Sequence, residues 1–252
     1  MNLPEPSIRI AVDPTNPGQF FACCGLLELA GRHWPGSNGW FADGAFCISA
    51  PGTLQNLLSA IRTAPMEQID PDDLMTSPLL LPAPFSLRLD WWLDDRSGGS
   101  SFKTWAGQQK VVRIAAAMHA VIDPAALPDS LFNTAAVLFD PIERKKVEPF
   151  YFDARRASQA HSVDIGFSPD AQGMAMPVFA ATEFLCLIGL QRFRPASNGD
   201  KTFRYVAWHL PLVPSVASAV AVGAVPMPES TNYTFRLVFR TKYSKGFLSA
   251  TH

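Results

Sequence analysis

The chain lacks the patterns that most often mark a metal site or a disulfide scaffold. Only four of its 252 residues are cysteine (Cys23, Cys24, Cys47 and Cys186), all in apolar surroundings, two of them adjacent and none in a C-x-x-C spacing. That pattern builds neither a disulfide framework nor a zinc site, so free thiols in a reducing cytoplasm are expected. The five histidines form no H-x-x-x-H pair, and the acidic groups at Asp70, Asp72 and Asp73 and at Asp94-Asp95 have no histidine at ligand spacing. No metal and no cofactor is therefore expected. No apolar run reaches the roughly 18 residues of a membrane span. MNLPEPSIRI has no basic start followed by an apolar core, so a secretory leader is not expected. Charged residues are scarce, 17% against 48% hydrophobic, which excludes a disordered chain and supports a sizeable core. Proline is plentiful, with 22 residues, which predicts many loops and short elements.

One apolar stretch dominates what remains. Ile8 to Arg32 reads IRIAVDPTNPGQFFACCGLLELAGR. Ile8, Ile10 and Val12 alternate as a short strand. The helix that follows is apolar almost all round, which predicts burial on several sides. The polar turn between them, Asp13 to Gln19, aims free backbone N–H groups forward. It is either a rigid corner or a docking place for an anion or another chain.

The remaining elements follow in order. Trp40-Phe41 and Ala45 to Ser49 flank Asp43-Gly44, a hairpin signal. Thr53 caps a predicted helix through Arg62, with Leu54, Leu57, Leu58 and Ile61 on one face. Residues 64–84 read as irregular, and 85–91 as a strand. Helices are expected over 103–121, 128–137 and 177–191, and helical periodicity is missing from 140 to 173. Two strands, 203–210 and 233–241, close the chain. The class is α+β, with antiparallel sheet packed against helices and a ferredoxin/RRM-like arrangement in part. The loss of periodicity suggests a break near residue 140, between a 1–140 part and a basic 141–252 part, with a single domain also open.

Charge divides at the same place. Residues 1–140 carry 8 Lys/Arg and 14 Asp/Glu, whereas 141–252 carry 13 and 8. Basic–aromatic clusters recur in the second half: Arg144 to Lys146 with Phe150 to Phe152 and Arg155-Arg156; Arg192 to Arg194 with Lys201, Phe203, Arg204 and Tyr205; and Tyr233 to Lys245. Cations bind phosphates and aromatics stack on bases. The third cluster reads equally well as a half-buried strand with a solvated basic face, since alternation separates Tyr233, Phe235, Leu237 and Phe239 from Arg236 and Arg240. The loop Gly98 to Thr104 lacks the glycine before lysine that a Walker pattern needs, but Lys103 and Thr104 at a helix start would suit a phosphate. Cys23 or Cys24, near a helix start and preceded by Gln19, would be the nucleophile of a cysteine hydrolase, although buried packing is the favoured reading for both.

Several blocks together resemble a known family. DPTNPGQFFACCGLLELA, FKTWAGQQ (102–109), FYFDARR (150–156), VDIGFSPD (163–170) and EFLCLIGLQRFRP (183–195) occur in this order. They resemble the Csb-family subunit of type I-U (I-G) CRISPR effector complexes, the short protein proposed as the large, PAM-reading subunit. The resemblance runs from residue 10 to 215. It implies a non-catalytic, cytoplasmic subunit of a Cascade-like antiviral assembly that takes part in PAM and target-DNA recognition. Its partners would be target DNA, guide RNA and other Cascade subunits, with a helicase–nuclease recruited in trans and no membrane. The shared polar positions are Asn16, Gln19, Lys103, Trp105, Gln108, Asp153, Arg155 and Arg156. On this reading Lys103, Lys145, Lys146, Arg155 and Arg156 contact phosphates. Gln108 and Gln109 read base edges, Phe150 and Tyr151 stack or wedge, and Asn16 and Gln19 face a strand or a neighbouring subunit. The acidic first half is unexpected for a DNA-contacting surface. The alternatives are the cysteine hydrolase and a protein scaffold without nucleic-acid contact.

Overall fold

Helix α1 (Pro17–His33) is the axis on which the other elements are laid. Pro17 opens it with its φ already helical, and the Asn16 side chain caps it by accepting the Gly18 N–H. Every residue from Pro17 to Ala30 is buried. In the computed structural model, residues 3–73, 75–96, 98–107, 109–159, 177–239 and 244–252 are described.

The first 63 residues follow the local signals. Strands β1 (Ile8–Ala11), β2 (Asn38–Ala42) and β3 (Ala45–Ser49) form an antiparallel sheet in the order β1-β3-β2. Asp43 and Gly44 both take positive φ, as a tight hairpin turn requires. Helix α2 (Leu54–Thr63) begins with a reciprocal Thr53–Asn56 capping box and buries Leu54, Leu57, Leu58 and Ile61. Because α1 joins β1 to β2 across β3, this is one half of a ferredoxin-like unit. The outer edge of β2 is covered by Trp208 and Leu212, whose carbonyls accept the Phe41 and Gly39 N–H groups.

The middle of the chain departs from the sequence reading in four places. Residues 64–84, expected to be irregular, hold β4 (Glu67–Gln68) and β5 (Leu79–Leu81), which pair with β6 (Leu87–Leu89). The helix expected over 103–121 starts only at Val111, as α4 (Val111–Ala120), while a single helical turn, α3 (Gly99–Phe102), lies before the expected start. Between them the Thr104 carbonyl accepts the Lys245 N–H at 2.7 Å, so this backbone bonds the C-terminal strand instead of its own next turn. Residues 128–137 form turns, and Ala136 then bridges Val178. Finally, α5 (Ala154–Gln159) lies in the segment expected to lack helix, and it is too short to show a period.

Helix α6 (Ala180–Arg192) crosses α1 in the most extensive helix pairing of the fold. The backbones nearly touch. A Cβ on Gly25 would lie 2.0 Å from the Leu185 carbonyl oxygen, and one on Gly189 would lie 2.0 Å from that of Phe21. Glu28, buried beside this crossing, is held by Arg32 at 2.7 Å and Arg192 at 2.5 Å. A second antiparallel sheet, β10-β9-β8-β7, comprises β7 (Ala196–Gly199), β8 (Thr202–Ala207), β9 (Thr231–Phe239) and β10 (Lys245–Phe247). Helix α7 (Pro214–Ala221) lies between β8 and β9 in the chain. The inner face of this sheet places Tyr205 against Phe20 and Phe21 of α1. The buried apolar residues form one contiguous core that draws on both sides of residue 140. The charge boundary there is therefore not a gap in packing. No helix among the described residues is long and apolar enough to cross a membrane.

Candidate nucleic-acid interface

The second sheet has two unlike faces. Alternation along β8 buries Phe203 and Tyr205 and leaves Arg204 exposed; along β9 it buries Tyr233, Phe235 and Leu237 and leaves Arg236 exposed. Cross-strand register pairs Arg236 with Thr202 and Arg204 with Thr234, so both arginines share the outer face with two threonines. Two hollows open there. One, of about 340 Å³, is lined by Thr202, Thr234, Arg236 and Ser249 among others; the second, of about 290 Å³, by Arg204, Asn232 and Ser230. Lys201 stands exposed in the β7–β8 turn, and Lys245 begins β10 at the same end of the sheet. Among the described residues, Lys201, Arg204, Arg236 and Lys245 have no carboxylate partner. Burial pushes the Lys245 ammonium below its ordinary value, and the nearby charge of Lys201 adds to the effect. From Lys201 to His252 the chain contains a single acidic residue, Glu229. That imbalance is the sequence signal by which this set could have been found.

The residues singled out from the sequence lie elsewhere, and most are engaged. Asn16 and Gln19 do not face solvent. Asn16 is 2% exposed, donates to Asp153 Oδ1 at 2.9 Å and accepts the Ala154 N–H at 3.1 Å. The Gln19 Oε1 accepts the Asp13 N–H at 2.8 Å. The polar turn is thus a structural corner, because its groups are consumed by the chain's own backbone and by FYFDARR. Phe150 is fully buried against Trp105 and Phe152, with no ring face left for a base. Tyr151 is 3% exposed and its hydroxyl donates to Glu148. Arg156 is 3% exposed, 5.6 Å from the Tyr151 ring.

Arg155 is half-buried but fully used. It binds Asp153 through Nε at 2.9 Å, Asn133 Oδ1 through Nη1 at 2.8 Å and the Phe132 carbonyl through Nη2 at 2.7 Å. Its guanidinium also lies 3.6 Å from the Phe179 ring centroid. Lys145 is exposed but lies 3.3 Å from Glu143. Arg113 first, and then Lys145, hold the Glu143 carboxyl below its usual range. Lys146 is exposed, on a backbone bridge to Phe139. Lys103 does not open a helix: it follows α3, sits over the Trp105 ring at 5.5 Å and has its ammonium lowered by burial. The Gln109 side chain caps the Ala106 N–H at 2.9 Å, which occupies its amide oxygen. Gln108 lies outside the described residues, as do the block 163–170 and Arg240, Lys242 and Tyr243.

Two further clusters bear on chemistry. The Glu183 carboxylate, fully buried in α6, accepts the Phe152 and Asp153 N–H groups at 3.1 and 2.9 Å. Burial pushes its pKa up to about 7, against the pull of those two N–H groups. It closes a polar network in which Asp153 joins Asn16 to Arg155, tying the start of α1 to the start of α5 and to α6. Cys23 and Cys24 are wholly enclosed, and burial pushes both thiols well above their ordinary value. That is the wrong direction for a nucleophile and leaves no path for a substrate. No group of metal-ligating side chains occurs among the described residues. No family model, curated protein or solved structure matches the chain.

Proposed function

We propose that this chain is a non-catalytic, cytoplasmic nucleic-acid-binding subunit of a CRISPR interference complex. In that role it takes part in target-DNA recognition and assembly, beside guide RNA and other Cascade subunits, while a helicase–nuclease acting in trans does the cutting. The observation that carries the reading is the set of four cations without carboxylate partners on the second sheet, Lys201, Arg204, Arg236 and Lys245. A solvated protein surface usually mixes both signs. Arg204 and Arg236 give the outer face one sign, and Lys201 and Lys245 add to it at the Phe239 end of the sheet; such a concentration of one sign on a chain of net charge −1 is suited to a polyanion. The CRISPR context rests on the resemblance of the ordered sequence blocks to the Csb family.

The test is a gel shift of the chain with duplex and single-stranded DNA over a salt series. Affinity should fall steeply with salt, and the Arg204→Glu/Arg236→Glu variant should bind more weakly with a shallower salt slope. Absence of binding by the isolated chain at low salt, with assembly into a complex retained, would assign it to a pure scaffold instead.

A further inference from the structure

Phe239 is an aromatic ring held in the open between two ammonium groups. It continues the apolar face of β9 after Tyr233, Phe235 and Leu237, but the strand has run past the core, and the ring is 46% exposed. Lys201 Nζ lies 4.5 Å from its centroid and Lys245 Nζ 5.8 Å. The fold fixes both lysines. Lys201 sits in the β7–β8 turn at φ 60°, and its carbonyl accepts the Leu237 N–H at 3.4 Å. Lys245 is directly opposite Phe239 in the β9–β10 register, and its Nζ donates to the Ser101 carbonyl at 3.1 Å. Two like charges are thus kept close together beside an exposed apolar ring, with no carboxylate among the described residues to neutralise them. A partner for this place has a flat apolar face and anionic groups at its rim.

We propose that Phe239 is a stacking seat for an unpaired base, with Lys201 and Lys245 holding the phosphates on either side. The inference rests on the nucleic-acid reading above and narrows it to single strands. A base inside a duplex has both faces stacked already and reaches a protein ring only if it is flipped out. An acidic peptide satisfies the lysines but leaves the ring uncovered.

The test compares full-length wild type, Phe239→Ala, Phe239→Tyr and Lys201→Gln/Lys245→Gln by fluorescence anisotropy. The probes are labelled oligo-dT, oligo-U, an abasic strand of equal length and a duplex. Urea midpoints check that each variant is folded. Phe239→Ala should weaken binding of the better of the two base-bearing strands about tenfold. Phe239→Tyr should stay within about twofold of wild type, since it keeps a stacking face. The abasic strand should be insensitive to Phe239→Ala but weakened by the double lysine variant. Whichever of oligo-dT and oligo-U binds more tightly identifies the strand that occupies the seat. The stacking seat is overturned if Phe239→Ala leaves both base-bearing strands unaffected, or weakens the abasic strand or the duplex equally. It is also overturned if polyglutamate competes for the oligonucleotide in wild type but not in Phe239→Ala. If Arg204→Glu/Arg236→Glu weakens binding while Phe239→Ala does not, the stacking seat alone falls. If wild type binds neither strand nor duplex, the functional reading falls with it.

Discussion

Two basic regions of this molecule look alike in sequence and differ in three dimensions. The segment from Arg144 to Arg156 carries cations and aromatics in close succession, as do the strands from Lys201 to Lys245. In the first, Arg155 is spent on Asp153, Asn133 and a backbone carbonyl, Lys145 stands beside Glu143, and Phe150 is enclosed. In the second, alternation turns the aromatics inward and the arginines outward, and no carboxylate follows them among the described residues. The lesson is that basic density says little about availability. A cation offers binding free energy to a polyanion only where the fold has left it without a partner of its own.

The largest effect that would sharpen this contrast lies in the first region. Asp153→Ala removes the acceptor shared by Asn16 and Arg155 inside the protein, and a loss of about 3–5 kcal/mol is expected from breaking such a buried pair. A urea melt reads this as a lower midpoint, or the variant is insoluble. A stable Asp153→Ala protein that has lost nucleic-acid binding would reverse the assignment and make the corner a binding site.

The same network predicts a pH dependence. The Glu183 carboxyl has an ordinary value of 4.5 and about 7 in the fold, so the native state holds its proton more tightly than the unfolded chain does. Its contribution to stability is complete below pH 4.5 and is lost as pH rises through about 7. The change is on the order of 3 kcal/mol for a shift of this kind. Asp153 raises the carboxyl further and Arg156 opposes it, so the slope belongs to the group as a set. Urea midpoints between pH 4.5 and 7.5 measure it. Glu183→Gln, which keeps one of the two acceptor oxygens without the titration, should flatten the slope.

In the second region the effects fall on binding and not on folding. Arg204→Glu/Arg236→Glu should lower nucleic-acid affinity about tenfold or more in 0.1 M salt and reduce the salt slope by about two contacts. Its urea midpoint should stay close to wild type, because both side chains are exposed. An unchanged affinity would erase the distinction between the two regions. The smallest effect belongs to Lys145→Ala: below about 0.5 kcal/mol in stability and below twofold in affinity, as for an exposed, already paired lysine. A large loss of affinity on this substitution would return the first region to the interface.

Much of the first 63 residues was legible because its signals are local. Period-2 alternation at Ile8 and Ile10, the Asp43-Gly44 turn and the Thr53 cap each act within a few residues. The helix expected from Lys103 failed for the opposite reason. Its backbone bonds Lys245, far along the chain, and no local pattern announces that bond. The engagement of the singled-out polar residues was hidden on the same ground. Asn16 and Gln19 look like a binding turn until Asp153, 137 residues away, is brought against Asn16.

The amino-acid sequence alone sufficed for the class of the fold, the burial of α1 and its cysteines, and the excess of positive charge in the second half. These follow from composition and from periodicities that each short segment carries alone. Tertiary structure decided which cations were left unpaired. Arg192 is matched to Glu28 and Arg194 to Asp94 across the molecule, while Arg204 and Arg236 meet no carboxylate among the described residues. Charge pairing acts over a few ångströms of space and is indifferent to separation along the chain, so the binding face emerges only when the sheet is assembled.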